Sequence, residues 1–137
     1  MFYIKIENLT STIKNYDWFS SNDFFIILES PDESRRTTTK WNSDNPTWNE
    51  EFIFSNVPET ITLKLYENNK FTAPKILQTT TFETYNGAIE TFQKDIFRIH
   101  MGNPMAELES ELYSLKKDIE KNKSNVNLLE SIKELLF

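Results

Sequence analysis

The chain has 137 residues, no cysteine and a formal net charge of −6. The missing cysteines exclude disulfides, thiolate metal sites and a thiol nucleophile. The acidic balance argues against nucleic acid, whose phosphates require clustered Lys and Arg. Eleven Phe, five Tyr and three Trp supply enough apolar surface for the core of one domain.

The chain opens on Met1-Phe2-Tyr3-Ile4-Lys5-Ile6-Glu7-Asn8 and turns polar at once, without the basic segment and apolar run of a signal peptide. No stretch approaches about 18 consecutive apolar residues. The expectation is a soluble, cytoplasmic protein, free to act at a membrane periphery or inside a larger assembly.

Alternating patterns follow in chain order. Phe2, Ile4 and Ile6 alternate with Tyr3 and Lys5. Phe24 to Leu28 is an unbroken apolar run, as in a strand buried on both sides. Thr37 to Trp41 is β-branched and polar, which predicts a half-exposed strand. Trp48, Phe52 and Phe54 share one parity. Ile61, Leu63 and Leu65 alternate with Thr62, Lys64 and Tyr66. Leu77 to Phe82 has high β propensity, and Phe97, Ile99 and Met101 alternate with Arg98 and His100. Turn clusters separate these runs, at Ser30-Pro31-Asp32, at Asn42 to Pro46 and at Tyr85-Asn86-Gly87. Short strands with no helix between them predict an all-β, eight-stranded antiparallel sandwich over residues 1–102.

Residues 103–137 read as a helical tail. Asn103 suits an N-cap and Pro104 the first helical position. Leu108, Leu112, Leu115 and Ile119 follow at spacings of four, three and four, an amphipathic stripe. Helix propensity drops at Asn122-Lys123-Ser124-Asn125, which predicts a break and a helical hairpin. The competing reading is a coiled coil, because the spacing continues through Asn122, Val126, Leu129, Lys133 and Leu136. The second half also has a wide apolar face of Leu128, Leu129, Ile132, Leu135 and Leu136, which favours the hairpin.

One run is more specific than the rest. Asn45-Pro46-Thr47-Trp48-Asn49-Glu50, followed by Phe52 and Phe54, resembles the N-P-x-W-N-E-x-F-x-F signature of C2 domains. Arg35-Arg36-Thr37-Thr38-Thr39-Lys40 is similar to the basic strand that precedes this signature. Asp23-Phe24-Phe25-Ile26 stands where the family carries D-P-Y-V, with Phe24 in place of proline. Leu65-Tyr66-Glu67 resembles its V-Y-D. The resemblance covers residues 1 to about 102, and the tail falls outside it.

The resemblance implies a loop cluster at one end of the sandwich. In calcium-binding members five aspartates there supply hard oxygen ligands. Asp17 and Asp23 match the first-loop pair. The third-loop positions fall on Glu67, Asn69 and Lys75: one ligand is lengthened, one is neutral and one is a cation. The site charge changes from about −5 to about −2, and a misplaced unit charge at ~4 Å costs several kcal/mol at intermediate dielectric. No bound calcium, other metal or cofactor is therefore expected. Lys75 either sits between Asp17 and Asp23 as a counterion or points to solvent.

Trp18, its neighbour Phe19, and Phe71 occupy loop-tip positions where membrane-binding members insert apolar side chains. Folding back over the core is the alternative for Trp18 and Phe19. Arg35, Arg36 and Lys40 form a candidate basic surface for an acidic headgroup or protein, or else a solvated sheet face. His100 is the chain's one histidine. Its parity points it outward, and no complete catalytic constellation accompanies it. The expectation is a non-enzymatic, calcium-independent recruitment or scaffold module that binds a protein partner through its loops and helical tail, with a homodimer through the tail also compatible. The alternative is a peripheral phospholipid-binding module inserting Trp18 and Phe71 in an anionic membrane, with residual calcium dependence.

Overall fold

The computed structural model describes residues 1–11, 22–68 and 71–136. Among the described residues the strands are β1 (Phe2–Leu9), β2 (Phe24–Glu29), β3 (Ser34–Arg36), β4 (Thr47–Phe54), β5 (Thr60–Glu67), β6 (Lys75–Glu83), β7 (Glu90–Lys94) and β8 (Phe97–Gly102), followed by one helix, α1 (Pro104–Leu136). They form two four-stranded sheets, in the orders β4-β1-β8-β7 and β3-β2-β5-β6. Every pairing among these strands is antiparallel.

Alternation builds the core. Phe2, Ile4 and Ile6 of β1, Ile61, Leu63 and Leu65 of β5, and Phe97, Ile99 and Met101 of β8 are buried between the sheets. Phe24, Ile26 and Leu28 of β2 join them. Full burial of one such side chain contributes about 1.5–3 kcal/mol. Phe25 points the other way, yet is only 1% exposed. It is covered on the outer face by Tyr66, stacked at 5.1 Å and 2°, and by the Arg36 guanidinium at 3.6 Å. The reading of β2 as buried on both sides has this physical origin.

The chain crosses from one sheet to the other between β3 and β4, and the signature tryptophan fastens that crossing. Trp48 Nε1 donates to the Thr38 carbonyl at 2.9 Å. The Glu50 carboxylate accepts from Thr38 N at 2.9 Å and from Thr38 Oγ1 at 2.5 Å. Thr38 thus has both main-chain groups satisfied by side chains of β4.

The strand expected over Thr37 to Trp41 is not regular. β3 ends at Arg36; beyond it Thr37 N donates to the Ile26 carbonyl at 2.9 Å and Lys40 bridges to Phe24. The cause is Thr37. Its Oγ1 accepts from Ile26 N at 2.9 Å, taking a position that a ladder carbonyl would fill. The register between β2 and this segment then slips by one residue, from Ile27↔Arg36 to Phe24↔Lys40, as in a β-bulge. β7 has no counterpart among the alternating runs of the sequence. Glu90-Thr91-Phe92-Gln93-Lys94 is an edge strand with a single apolar residue, so it has little alternation to detect.

The tail is one unbroken α1, so the helical hairpin expected from Asn122 to Asn125 is corrected. Asn, Lys and Ser each cost at most about 0.7 kcal/mol relative to Ala. Without Gly or Pro, the good helix formers on both sides carry the helix through. Its root is tightly held. Asn103 Oδ1 caps Met105 N at 2.9 Å, Asn103 N donates to the Gly87 carbonyl at 2.8 Å, and Glu107 Oε2 accepts from Ile89 N at 2.9 Å. A Cβ on Gly102 would stand 2.7 Å from the Gly87 carbonyl oxygen and 2.7 Å from the Ile89 Cα. This close approach requires glycine.

On the outer face of the first sheet, Glu7 Oε2 accepts from Arg98 Nε at 2.7 Å and from His100 Nε2 at 2.8 Å. His100 Nδ1 lies 2.9 Å from Thr91 Oγ1. The bond from His100, followed by that from Arg98, outweighs burial and lowers the Glu7 pKa below its ordinary 4.5.

Trp48→Phe keeps most of the buried ring and removes the indole bond to Thr38, so it should lower stability by about 0.5–1.5 kcal/mol. Trp48→Ala should cost about 3–5 kcal/mol, read by urea unfolding. Glu7 has a depressed folded pKa, so its contribution is present above about pH 4.5 and disappears as pH falls through the lowered value. The wild-type urea midpoint should therefore fall more between about pH 5 and about pH 3 than that of Glu7→Gln.

Candidate functional site

Strand directions define the site. Leu9, Phe24, Thr47, Glu67 and Lys75 all lie at one end of the sandwich. The connections β1–β2, β3–β4 and β5–β6 therefore emerge together there. Gly102 pairs with Tyr3 at the opposite end, where α1 begins.

Asn22 and Asp23 tie the three connections together, and they are 1% and 6% exposed. The Asp23 carboxylate accepts from Asn42 N at 2.8 Å through Oδ1. Its main-chain carbonyl accepts from Asn68 N at 2.7 Å. The Asn22 carbonyl accepts from Ser43 N at 2.9 Å, and its amide donates to Asp44 Oδ1 at 2.7 Å. One dipeptide thus pins the β3–β4 loop and the end of β5. Asn42 has a φ of 54°, a left-handed turn that Asn tolerates well.

The sequence-derived residues separate on this frame. Asp23, Glu67 and Lys75 share the loop end, and Lys75 is the exposed cross-strand partner of the half-buried Glu67. Asp17, Asn69, Trp18 and Phe19 lie outside the described residues. Phe71 is 94% exposed. The loop end also presents Trp41, 56% exposed, which sequence reasoning placed inside a strand. The signal for it was the turn cluster beginning at Asn42 directly after it. Ile76, 49% exposed at the start of β6, adds apolar surface beside Tyr66.

The expected basic surface of Arg35, Arg36 and Lys40 is not one face. Consecutive strand residues alternate sides. Arg36 lies on Phe25 on the outer face and donates to Thr39 Oγ1 at 3.1 Å. Arg35 lies 4.8 Å from the centre of the Phe54 ring and donates to Glu33 at 3.1 Å. Lys40 follows the bulge and is half-buried.

The antiparallel sandwich thus gathers three loops at one end and displays apolar side chains there. The family model of the C2 domain matches residues 2–98, and the chain belongs to the C2 domain family. Among solved structures, a C2 domain of plant Extended Synaptotagmin 1 is similar with a TM-score of 0.62 and 18% identity, over 74% of this chain and 91% of that one. Human GIVD cytosolic phospholipase A2 is similar with a TM-score of 0.58 and 20% identity, over 73% of this chain and 16% of the enzyme. The calcium-bound pair of C2 domains from Extended-Synaptotagmin 2 gives a TM-score of 0.56 at 10% identity, over 73% of this chain and 44% of that one. No curated protein sequence matches the chain.

Asp23 therefore has a structural task of its own. Asp23→Ala should lower stability by about 1–3 kcal/mol, because the acceptor that its carboxylate offers to Asn42 N is removed. Asp23→Asn, which retains a side-chain carbonyl, should recover most of that loss in urea unfolding.

Proposed function

We propose that the chain is a non-enzymatic recruitment module whose loop end docks on a phospholipid surface without calcium. The observation that carries this reading is the pair Trp41 and Phe71, 56% and 94% exposed on two loops that Asp23 holds together. Exposed aromatic side chains gathered at one end mark a binding surface, and Trp is suited to the headgroup boundary. Burying each ring contributes about 1.5–3 kcal/mol. With a net charge of −6, insertion carries the binding and long-range attraction adds little. Calcium independence is supported by two features. Asp23 Oδ1 is already hydrogen-bonded to Asn42 N, and Lys75 brings a cation opposite Glu67. The non-enzymatic reading is supported by His100, which is engaged with Glu7 and Thr91 on an open sheet face.

A second reading, docking of a protein, is favoured by α1, whose apolar side chains are uncovered along its length.

Sedimentation with phosphatidylcholine–phosphatidylserine vesicles tests the lead reading. The full chain should pellet equally in calcium and in chelator, and added salt should weaken it little. Trp41→Ala combined with Phe71→Ala should weaken binding at least about tenfold, since tenfold is 1.4 kcal/mol. No pelleting in any condition removes the membrane reading, and micromolar calcium affinity in calorimetry removes the calcium-independent one.

A further inference from the structure

α1 spans 33 residues, and none of them is buried. At 1.5 Å per residue it is ~50 Å long. Two positions recur every seven residues along it. Met105, Leu112, Ile119, Val126 and Lys133 form one series, and Leu108, Leu115, Asn122, Leu129 and Leu136 form the other. Leu112, Leu115, Ile119 and Leu129 on this seam are 50%, 59%, 54% and 65% exposed. A helix with such a seam is stabilised by a second helix packed along it.

The charges beside the seam identify that helix. In two parallel copies in register, the residue before each first-series position faces the residue five further on in the other copy. Glu111 then faces Lys116 of the second copy, Asp118 faces Lys123, and Asn125 faces Glu130. Each attractive contact occurs twice by symmetry. In a fully overlapped antiparallel pair, Glu109 meets Glu130 and Lys116 meets Lys123, so like charges adjoin. Ile119 and Val126 in the first series, with Leu115 and Leu129 in the second, favour two strands over three. Lys133 is the polar residue of the first series, the kind of position that fixes register at some cost in stability, and Asn122 is a polar interruption of the second. Ile132 flanks the seam and widens it, whereas Leu128 and Leu135 lie off it.

We infer that α1 pairs with α1 of a second copy of this chain as a parallel, in-register, two-stranded coiled coil. This names the partner for the protein-docking reading above and stands apart from the lipid reading, since its test contains no lipid. Because α1 starts at the end opposite the loops, the dimer carries two sandwiches at one end of the coil.

Light scattering on the full chain should give twice the 16.2 kDa of one copy. Leu112→Glu combined with Leu115→Glu should weaken association by roughly 100-fold or more. The near-ultraviolet signal of the sandwich should stay intact, because both residues lie outside its core. The chain has no cysteine, so Leu108→Cys supplies a single thiol. In the parallel pair the two thiols meet, and added oxidised glutathione, itself reduced to two thiols, links them as a disulfide. In the antiparallel pair they lie roughly 36 Å apart along the axis and stay unlinked. A monomer at all concentrations, a mass of three copies or more, a dimer that survives the double substitution, or a dimer that Leu108→Cys fails to link would each overturn the inference.

Discussion

The crossing from β3 to β4 is the constraint on which the loop end of this structure depends. A chain that leaves a ladder frees main-chain groups, and those groups take new hydrogen-bond partners. Thr38 sits at that point. Its N–H and hydroxyl are taken by Glu50 and its carbonyl by Trp48, two residues on one strand of the other sheet. The same contact sets where residues 39–46 run, and hence where Asn42 meets Asp23 and where Trp41 emerges. The run Asn45 to Glu50 is thus a fold signature and also the support of the loop end.

Much of this was legible in the sequence because it rests on alternation and local turns. The buried positions of β1, β5 and β8 follow directly from period 2. The start of α1 follows from Asn103 and Pro104, whose cap geometry is local. The rest was hidden for identifiable reasons. The Thr37 bulge depends on a hydroxyl reaching Ile26 in a neighbouring strand, and no pattern within residues 37–41 reveals that. The separation of Arg35 from Arg36 follows from the pleat, yet a basic cluster reads as one surface until its strand is placed. β7 carries one apolar residue and is held mainly by pairing with β8. The continuity of α1 was hidden because Asn122, Ser124 and Asn125 are weak helix formers and not breakers.

Within the candidate site, Asp23 was found for one reason and has a second role. The resemblance marked it as a metal ligand position, and the structure shows its carboxylate closing a hydrogen bond to Asn42 N. An acidic residue at this position is thus useful to the fold whatever the loops bind. Trp41 reads as the end of a strand because its neighbours Thr37 to Lys40 look like strand. Its exposure follows from the bulge, which ends the regular ladder at Arg36.

The placement of β8 has a mechanical consequence. It lies inside its sheet, hydrogen-bonded to β1 on one side and β7 on the other, and it continues directly into α1. Antiparallel ladder bonds run perpendicular to the strands. If the loop end is anchored and α1 is pulled away from it, the force runs along β8 and loads the bonds of both ladders together in shear. An edge strand pulled from its side would instead open one bond at a time. The helix is therefore attached to a strand that two ladders hold against tension.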